Sequence, residues 1–117
     1  MMNLDHLLVL LDEIDSVGKE EKQMLESLLE KLIENLFKLL YWELERGRDY
    51  RYWQTVVSNS RSSIQKLIEY RPCLQKHIEN IYPKLYQNAV NAWQDEFYIP
   101  SNVSIELEQI LENGYYG

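Results

Sequence analysis

A long amphipathic pattern between residues 20 and 45 organises the hydrophobic positions of this chain. Apolar side chains recur there at alternating steps of four and three: Leu25, Leu29, Leu32, Leu36 and Leu39. This spacing places them on one face of an α-helix, and that face has to be buried against other helices. At 1.5 Å per residue the helix would span roughly 40 Å, so the remaining elements are expected to cover it.

Glycines are expected to divide the N-terminal half of the chain into separate helices. A first helix with its own apolar stripe is predicted over about 4–17, and Gly18 is expected to end it, because glycine adopts the left-handed C′ conformation without steric cost. The long helix is expected to end near Gly47, and the next covers about 50–70. The buried stripe of that helix repeats the same spacing: Trp53, Val57, Ser60, Ile64 and Leu67. At Ser60 either a neighbouring helix approaches closely or the position is wet, and close approach is favoured.

The C-terminal part contains a helical pattern with an internal proline and a short closing helix. Pro72 can begin the pattern, and the apolar spacing continues past Pro83. This indicates a kinked helix or two short helices end to end. Ser104 is expected to cap the closing helix, and the aromatic tail at 115–116 is expected to be docked or frayed.

These patterns predict an all-α protein. Its expected architecture is a compact bundle of four main helices, of which one is long and central and one is kinked at a proline, plus a short C-terminal helix. Residues 1–117 are expected to form one domain, because this length supports a single hydrophobic core.

Charge is distributed unevenly along the chain and marks the candidate binding residues. The net charge is −7, yet residues 46–66 contain five basic side chains against one aspartate, a local charge of +4. The predicted partner-binding residues are the arginines of this stretch: Arg46, Arg48, Arg51 and Arg61. Arginines among tyrosines can bind phosphates and stack on bases. Alternatively they pair with the chain's own carboxylates, which is the favoured interpretation, because the chain is acidic overall and nucleic-acid-binding domains are usually basic.

The sequence contains no recognisable catalytic, cofactor-binding or metal-binding motif. Glu26, Glu30 and Glu34 form a carboxylate stripe, but a di-iron bundle needs Glu-x-x-His pairs, and neither histidine has a glutamate three residues before it. Cys73 and His77 lie one helical turn apart without an orienting acid or a glycine-rich oxyanion loop. We therefore expect no cofactor and favour a protein that is not an enzyme.

The cysteine content and the N-terminus indicate a cytoplasmic protein. Cys73 is the only cysteine, so no intrachain disulfide can form and a reducing compartment is expected. The N-terminus lacks a basic region, and its apolar run at 7–11 is too short for a signal peptide or a membrane span. No membrane contact is expected.

A leucine-rich segment followed by spaced tryptophans carries a resemblance to a known family. The segment LIENLFKLLYWELER at 32–46 contains Trp42, and Trp53 follows eleven residues later, before Asn-Ser-Arg at 59–61. This pattern resembles the family called domain of unknown function 29, which is abundant in cyanobacteria. The resemblance covers nearly the whole chain. It implies an all-helical bundle and assigns no activity.

The chain departs from that family's pattern at several positions. The family often has histidines where this chain has Asn35 and Tyr52, and an aromatic or apolar residue where Ser60 stands. Many members carry an additional N-terminal segment, so this chain is expected to be a short or truncated member.

Three functions are compatible with these observations. The favoured one is a small acidic interaction or regulatory module that binds another protein or a second copy of itself. The first alternative is a protein that contacts nucleic acid through the basic-aromatic stretch at 46–61. The second alternative, an enzyme, requires a pocket among Trp42, Trp53 and Tyr86, whereas large aromatic residues in a helical core are usually packing.

Overall fold

In a computed structural model the chain folds into four helices. The structure describes residues 2–101 and 104–116, and the side chains of 19–42, 49–101 and 104–116. The helices are α1 (Met2–Tyr41), α2 (Glu43–Tyr70), α3 (Leu74–Trp93) and α4 (Leu107–Ile110). No strand occurs within these described ranges, so the predicted all-α fold is confirmed. Within the same ranges, no helix has the length and apolar character that crossing a membrane would need.

The break predicted at Gly18 is absent, because α1 continues through this residue. A glycine inside a helix costs about 1 kcal/mol relative to alanine, which the good helix formers at 19–22 can offset. The bundle therefore consists of three long helices and the single turn of α4. The 40 residues of α1 correspond to about 60 Å, which accounts for the longest dimension of the molecule, 64 Å. The apolar stripe predicted for 4–17 lies outside the residues whose side chains are described.

The chain reverses at Trp42 rather than near Gly47, where the sequence predicted the end of the long helix. Trp42 has φ −94° and ψ 69°, which separates α1 from α2, and its N–H still donates to the carbonyl of Lys38 at 3.1 Å. The aromatic side chain of Trp42 packs among other rings. This packing stabilises the non-helical backbone conformation of the residue. Gly47 lies within α2.

The three long helices run up, down and up. At the far end of α2, the Nε atom of Arg71 lies 2.9 Å from a carboxylate oxygen of Glu21, so α2 returns along α1. On α3, His77 lies near the level of Glu26, and Trp93 near the level of Lys38. Helix α3 continues through Pro83 as one helix. The cap predicted at Ser104 is not formed: α4 begins at Leu107, and no side chain caps it.

The predicted leucine stripe of α1 forms the core. All five members are at most 2% exposed: Leu25, Leu29, Leu32, Leu36 and Leu39. Helix α1 packs along both α2 and α3, whereas α2 and α3 meet at few positions. Apolar residues of the segment 97–116 complete the core: Phe97, Ile99, Ile105, Leu107 and Ile110.

Ser60 is buried on α2, as its place in the apolar stripe predicts. It is 4% exposed and lines a shallow groove of about 250 Å³ together with Leu28 of α1. The two helices therefore leave space beside Ser60, and the close approach favoured from the sequence is incomplete.

Candidate functional site

Of the predicted partner-binding arginines, the two whose side chains are described, Arg51 and Arg61, lie on different sides of α2. Arg61 is 1% exposed, and its guanidinium donates to the carbonyl oxygens of Ile110 at 2.9 Å and of Tyr115 at 2.6 Å. It therefore fastens the C-terminal segment onto α2 and is not available to a partner. Its partners are carbonyls, so the predicted pairing with the chain's own carboxylates is wrong for this residue. Arg51 is exposed, and the side chains of Arg46 and Arg48 lie outside the described residues.

Helical geometry explains why these arginines separate. With 3.6 residues per turn, the ten residues from Arg51 to Arg61 rotate the side chain by about 280° around α2. The fifteen residues from Arg51 to Lys66 rotate it by only about 60°. Arg51 and Lys66 consequently lie on the side of α2 that faces solvent, whereas Arg61 faces the core.

That side of α2 forms a continuous exposed surface, which we call the α2 solvent face. Its members are all exposed: Arg51, Tyr52, Thr55, Asn59, Ser62, Ser63, Lys66, Glu69 and Tyr70. Tyr52 is 67% and Tyr70 is 73% exposed, which is high for a large aromatic side chain. From Tyr52 to Tyr70 the face extends about 27 Å along the helix.

The α2 solvent face carries two basic side chains, and its one carboxylate, Glu69, lies at the C-terminal end. Between residues 50 and 68 the sequence contains no aspartate or glutamate, in a chain whose net charge is −7. No described carboxylate pairs with Arg51 or Lys66. The hydroxyl of Thr55 donates to the backbone carbonyl of Arg51 at 2.8 Å. This hydrogen bond does not involve the Arg51 guanidinium.

The tryptophans pack against one another at the turn between α1 and α2. The Trp42 ring lies 5.8 Å from Trp53 and 5.5 Å from Phe97, both nearly parallel to it. Lys38 places its ammonium 4.6 Å from the ring centre of Trp93. In the described part of the chain, Trp42 and Trp53 are thus packed together, and Tyr86 lines a different cleft. None of the clefts found among the described residues is lined by Trp42 or Trp53.

Tyr82 and Tyr86 hold the loop before α4 against α3. The Tyr82 hydroxyl donates to the carbonyl of Ile105 at 2.7 Å, and the Ile105 N–H donates to the Tyr86 hydroxyl at 3.3 Å. Burial raises the pKa of both phenols above the ordinary value, so both hydroxyls are protonated at neutral pH. Tyr86 was named from the sequence only as a possible pocket residue, and the only signal for Tyr82 was its spacing of four from Tyr86 on the same helix.

The carboxylate stripe and the Cys–His pair are used in other contacts. Glu26 lies 3.2 Å from the Nε2 atom of His77, and Glu34 pairs with Lys38 at 3.4 Å. Cys73 is exposed, and the structure gives His77 the Glu26 carboxylate as its partner. Among the described residues, no group of three or more potential metal ligands is assembled.

The fold and these surfaces define a small all-helical protein with an exposed helix face that has no carboxylate from residue 50 to residue 68. The family model described as Domain of unknown function DUF29 matches residues 2–116, and the chain belongs to this family. The resemblance stated from the tryptophan spacing is thereby confirmed. The comparisons with curated proteins and with solved structures each found no match.

Proposed function

We propose that this protein is a non-enzymatic interaction module that binds the acidic surface of a partner protein through its α2 solvent face. The observation that carries the proposal is the composition of this face. It combines two exposed tyrosines with Arg51 and Lys66 and has no carboxylate between residues 50 and 68, although the chain is acidic overall.

The residue types on this face are those that proteins use for recognition. Tyrosine supplies large contact area at low conformational cost, and serine and asparagine supply adaptable hydrogen bonds, as in antibody binding loops. Serines and an asparagine lie between Tyr52 and Tyr70 on the exposed side of α2. Over about 27 Å, such a face has the length that a standard interface of about 800 Å² per partner needs.

Electrostatics favours an acidic partner over other proteins. Arg51 and Lys66 attract negative charge toward this face, while the net charge of −7 repels it elsewhere. Complementary charge of this kind mainly raises the association rate and fixes the orientation of the complex. The same two residues would be suited to phosphate, so the experiment has to distinguish a protein partner from nucleic acid.

The buried side of α2 supports binding by keeping the helix rigid. Trp53, Val57 and Ile64 are at most 3% exposed, and Arg61 ties the same side to the C-terminal segment. A helix held in this way loses little conformational entropy when a partner binds. A reducing compartment such as the cytoplasm suits the free, exposed thiol of Cys73 and supports placing the interaction there.

Affinity capture from native lysate tests the proposal with matched charge reversals. The wild-type chain is compared with a variant carrying Arg51→Glu and Lys66→Glu, and with a control carrying Lys76→Glu and Lys84→Glu on exposed positions of α3. Both variants change the net charge equally, so they differ only in the location of the reversed charges. Captured material is read by mass spectrometry and by ultraviolet absorbance at low and moderate salt.

The expected result is one stoichiometric protein with an acidic surface, retained by the wild type and the α3 control and lost from the α2 variant. Nucleic acid that is captured through α2 and released by salt would contradict the proposal and favour the nucleic-acid alternative. If a second copy of this chain were the only protein recovered, the result would indicate self-association instead of binding to an acidic partner protein. Equal capture by all three proteins would rule out the α2 solvent face.

A further inference from the structure

A cleft of about 500 Å³ opens between the second half of α3 and residues 100–101 and 104–106. This volume lies within the range of small-molecule sites, about 300–1,000 Å³. None of its lining residues belongs to α2, so a ligand site here is independent of the α2 solvent face.

The floor of the cleft is fixed by the two tyrosines of α3. Their hydroxyls bond to the carbonyl and the N–H of Ile105, which also lines the cleft. Behind the cleft, the ring of Tyr86 meets Phe37 of α1 edge to face, with ring centres 5.2 Å apart. Because these contacts hold the floor in place, a ligand would bind without ordering it first.

Tyr86 can donate a hydrogen bond into the cleft. Its hydroxyl oxygen accepts the Ile105 N–H, and no described residue accepts its proton. Since burial raises the pKa of Tyr86, this proton stays on the hydroxyl at neutral pH. A ligand oxygen beside Tyr86 would therefore receive a hydrogen bond.

The lining has a negative charge and no positive one. Among the lining residues that the structure describes, Glu106 is the only acidic or basic residue type, and the other walls combine apolar and neutral polar groups: Pro83, Gln87, Val90, Gln94, Pro100 and Ser104. A cleft of this composition attracts cations and rejects phosphates and carboxylates. We infer that the cleft binds a small organic amine, whose ammonium group faces Glu106, whose apolar body lies against Val90 and whose oxygen accepts from Tyr86.

A matched pair of probes tests this inference on the full chain. The amine is 2-amino-1-phenylethanol, and the control is mandelate, which keeps the phenyl and hydroxyl groups and replaces the aminomethyl group by a carboxylate. Each is titrated to millimolar concentration against the ¹⁵N-labelled protein, and the amide shifts are followed by NMR. The amine should shift amides of the second half of α3 and of 104–106, and mandelate should not.

Two variants locate the binding. Val90→Trp fills the cleft and should abolish the shifts, whereas Val56→Trp, the same change on α2, should leave them unchanged. Glu106→Gln, at an exposed position, should weaken amine binding about threefold, because it removes a partly screened charge pair. Circular dichroism checks that each variant is folded. Equal shifts by both probes, shifts elsewhere, no shifts, or binding that survives a folded Val90→Trp variant would overturn the inference.

Discussion

Arg51 and Arg61 stand ten residues apart on α2 and have opposite surroundings. Arg51 is exposed to solvent, whereas Arg61 is 1% exposed and bonded to two carbonyls. Burial lowers the pKa of Arg61, which reflects the cost of removing its charge from water. The carbonyl of Ile110 at the C-terminal end of α4, the carbonyl of Tyr115 and the ring of Tyr116, 5.7 Å away, offset part of that cost.

The difference between these arginines shows that a basic stretch of sequence can serve two purposes on one helix. The side of α2 that contains Arg61 also contains Trp53, Val57 and Ile64, and it holds the bundle together. The side that contains Arg51 makes little contribution to the fold and is free to bind. Changes on the two sides should therefore separate stability from binding.

The largest expected contrast is between two adjacent aromatic residues of α2. Trp53→Ala should lower the free energy of unfolding by about 4 kcal/mol, because it leaves a cavity beside Trp42. Tyr52→Ala should change it by less than about 0.5 kcal/mol, since this side chain is 67% exposed. Urea denaturation followed by circular dichroism measures both. Similar losses for the two variants would refute the assignment of the two faces.

The arginines themselves provide the next contrast. Arg61→Ala should cost about 3 kcal/mol, because it removes two charged hydrogen bonds and leaves the carbonyls of Ile110 and Tyr115 without these donors. Arg61→Lys should retain only part of the stability that Arg61→Ala loses, since an ammonium group cannot reproduce the planar fork of guanidinium. Arg51→Ala should cost less than about 0.5 kcal/mol. If Arg61→Ala cost as little stability as Arg51→Ala in the same urea titration, the structural role of Arg61 would be contradicted.

Tyr82 anchors the C-terminal segment from α3 and gives the fold a pH dependence. Tyr82→Phe should cost about 1.5 kcal/mol at neutral pH, because the Ile105 carbonyl loses its donor. Burial raises the pKa of Tyr82 in the folded protein above the ordinary value near 10. Its stabilising contribution is therefore complete below the unfolded-state pKa and is lost as the pH rises above it.

The pH dependence is measured as the free energy of unfolding between neutral pH and pH values above 10. The wild type should lose stability more steeply above pH 10 than Tyr82→Phe does, because the phenol is absent from the variant. Tyr70→Phe is the matched control, since Tyr70 is 73% exposed. Parallel curves for the wild type and Tyr82→Phe would show that Tyr82 does not carry this dependence.

The smallest contrast is between Gln65 and Lys66. The Gln65 amide donates to the carbonyl of Leu111 at 2.9 Å and to the side chain of Asn113 at 3.1 Å. Gln65→Ala should therefore cost about 1 kcal/mol. Lys66→Ala should leave stability within about 0.5 kcal/mol and weaken capture of the partner. The reverse order would place Lys66, rather than Gln65, among the contacts that hold the tail.

Much of the fold could be predicted from the sequence because it depends on local periodicity. The leucine stripe of α1 and the positions Trp53, Val57 and Ile64 of α2 are buried as their spacing indicates. Helix boundaries were less predictable, because one glycine costs too little to end a helix with strong neighbours. The continuation through Gly18 is an example. The reversal at Trp42 depends on ring packing that periodicity does not contain.

The candidate site could be predicted only in part. The basic-aromatic stretch was recognised, but the burial of Arg61 depends on carbonyls 49 and 54 residues further along the chain. Charged residues are rarely buried without a partner, so the sequence placed all four arginines together. The 280° rotation between Arg51 and Arg61 follows from helical geometry, and applying it would have separated them.

The division of α2 into a structural and a binding side is tested most directly by mapping the captured partner onto the chain. The ¹⁵N-labelled protein is titrated with that partner, and the perturbed amides are located by NMR. The account predicts that perturbations cluster at Arg51, Tyr52, Asn59 and Lys66, with Lys76 and Lys84 of α3 unaffected. Perturbations centred on α3, with the amides of the α2 solvent face unchanged, would contradict it.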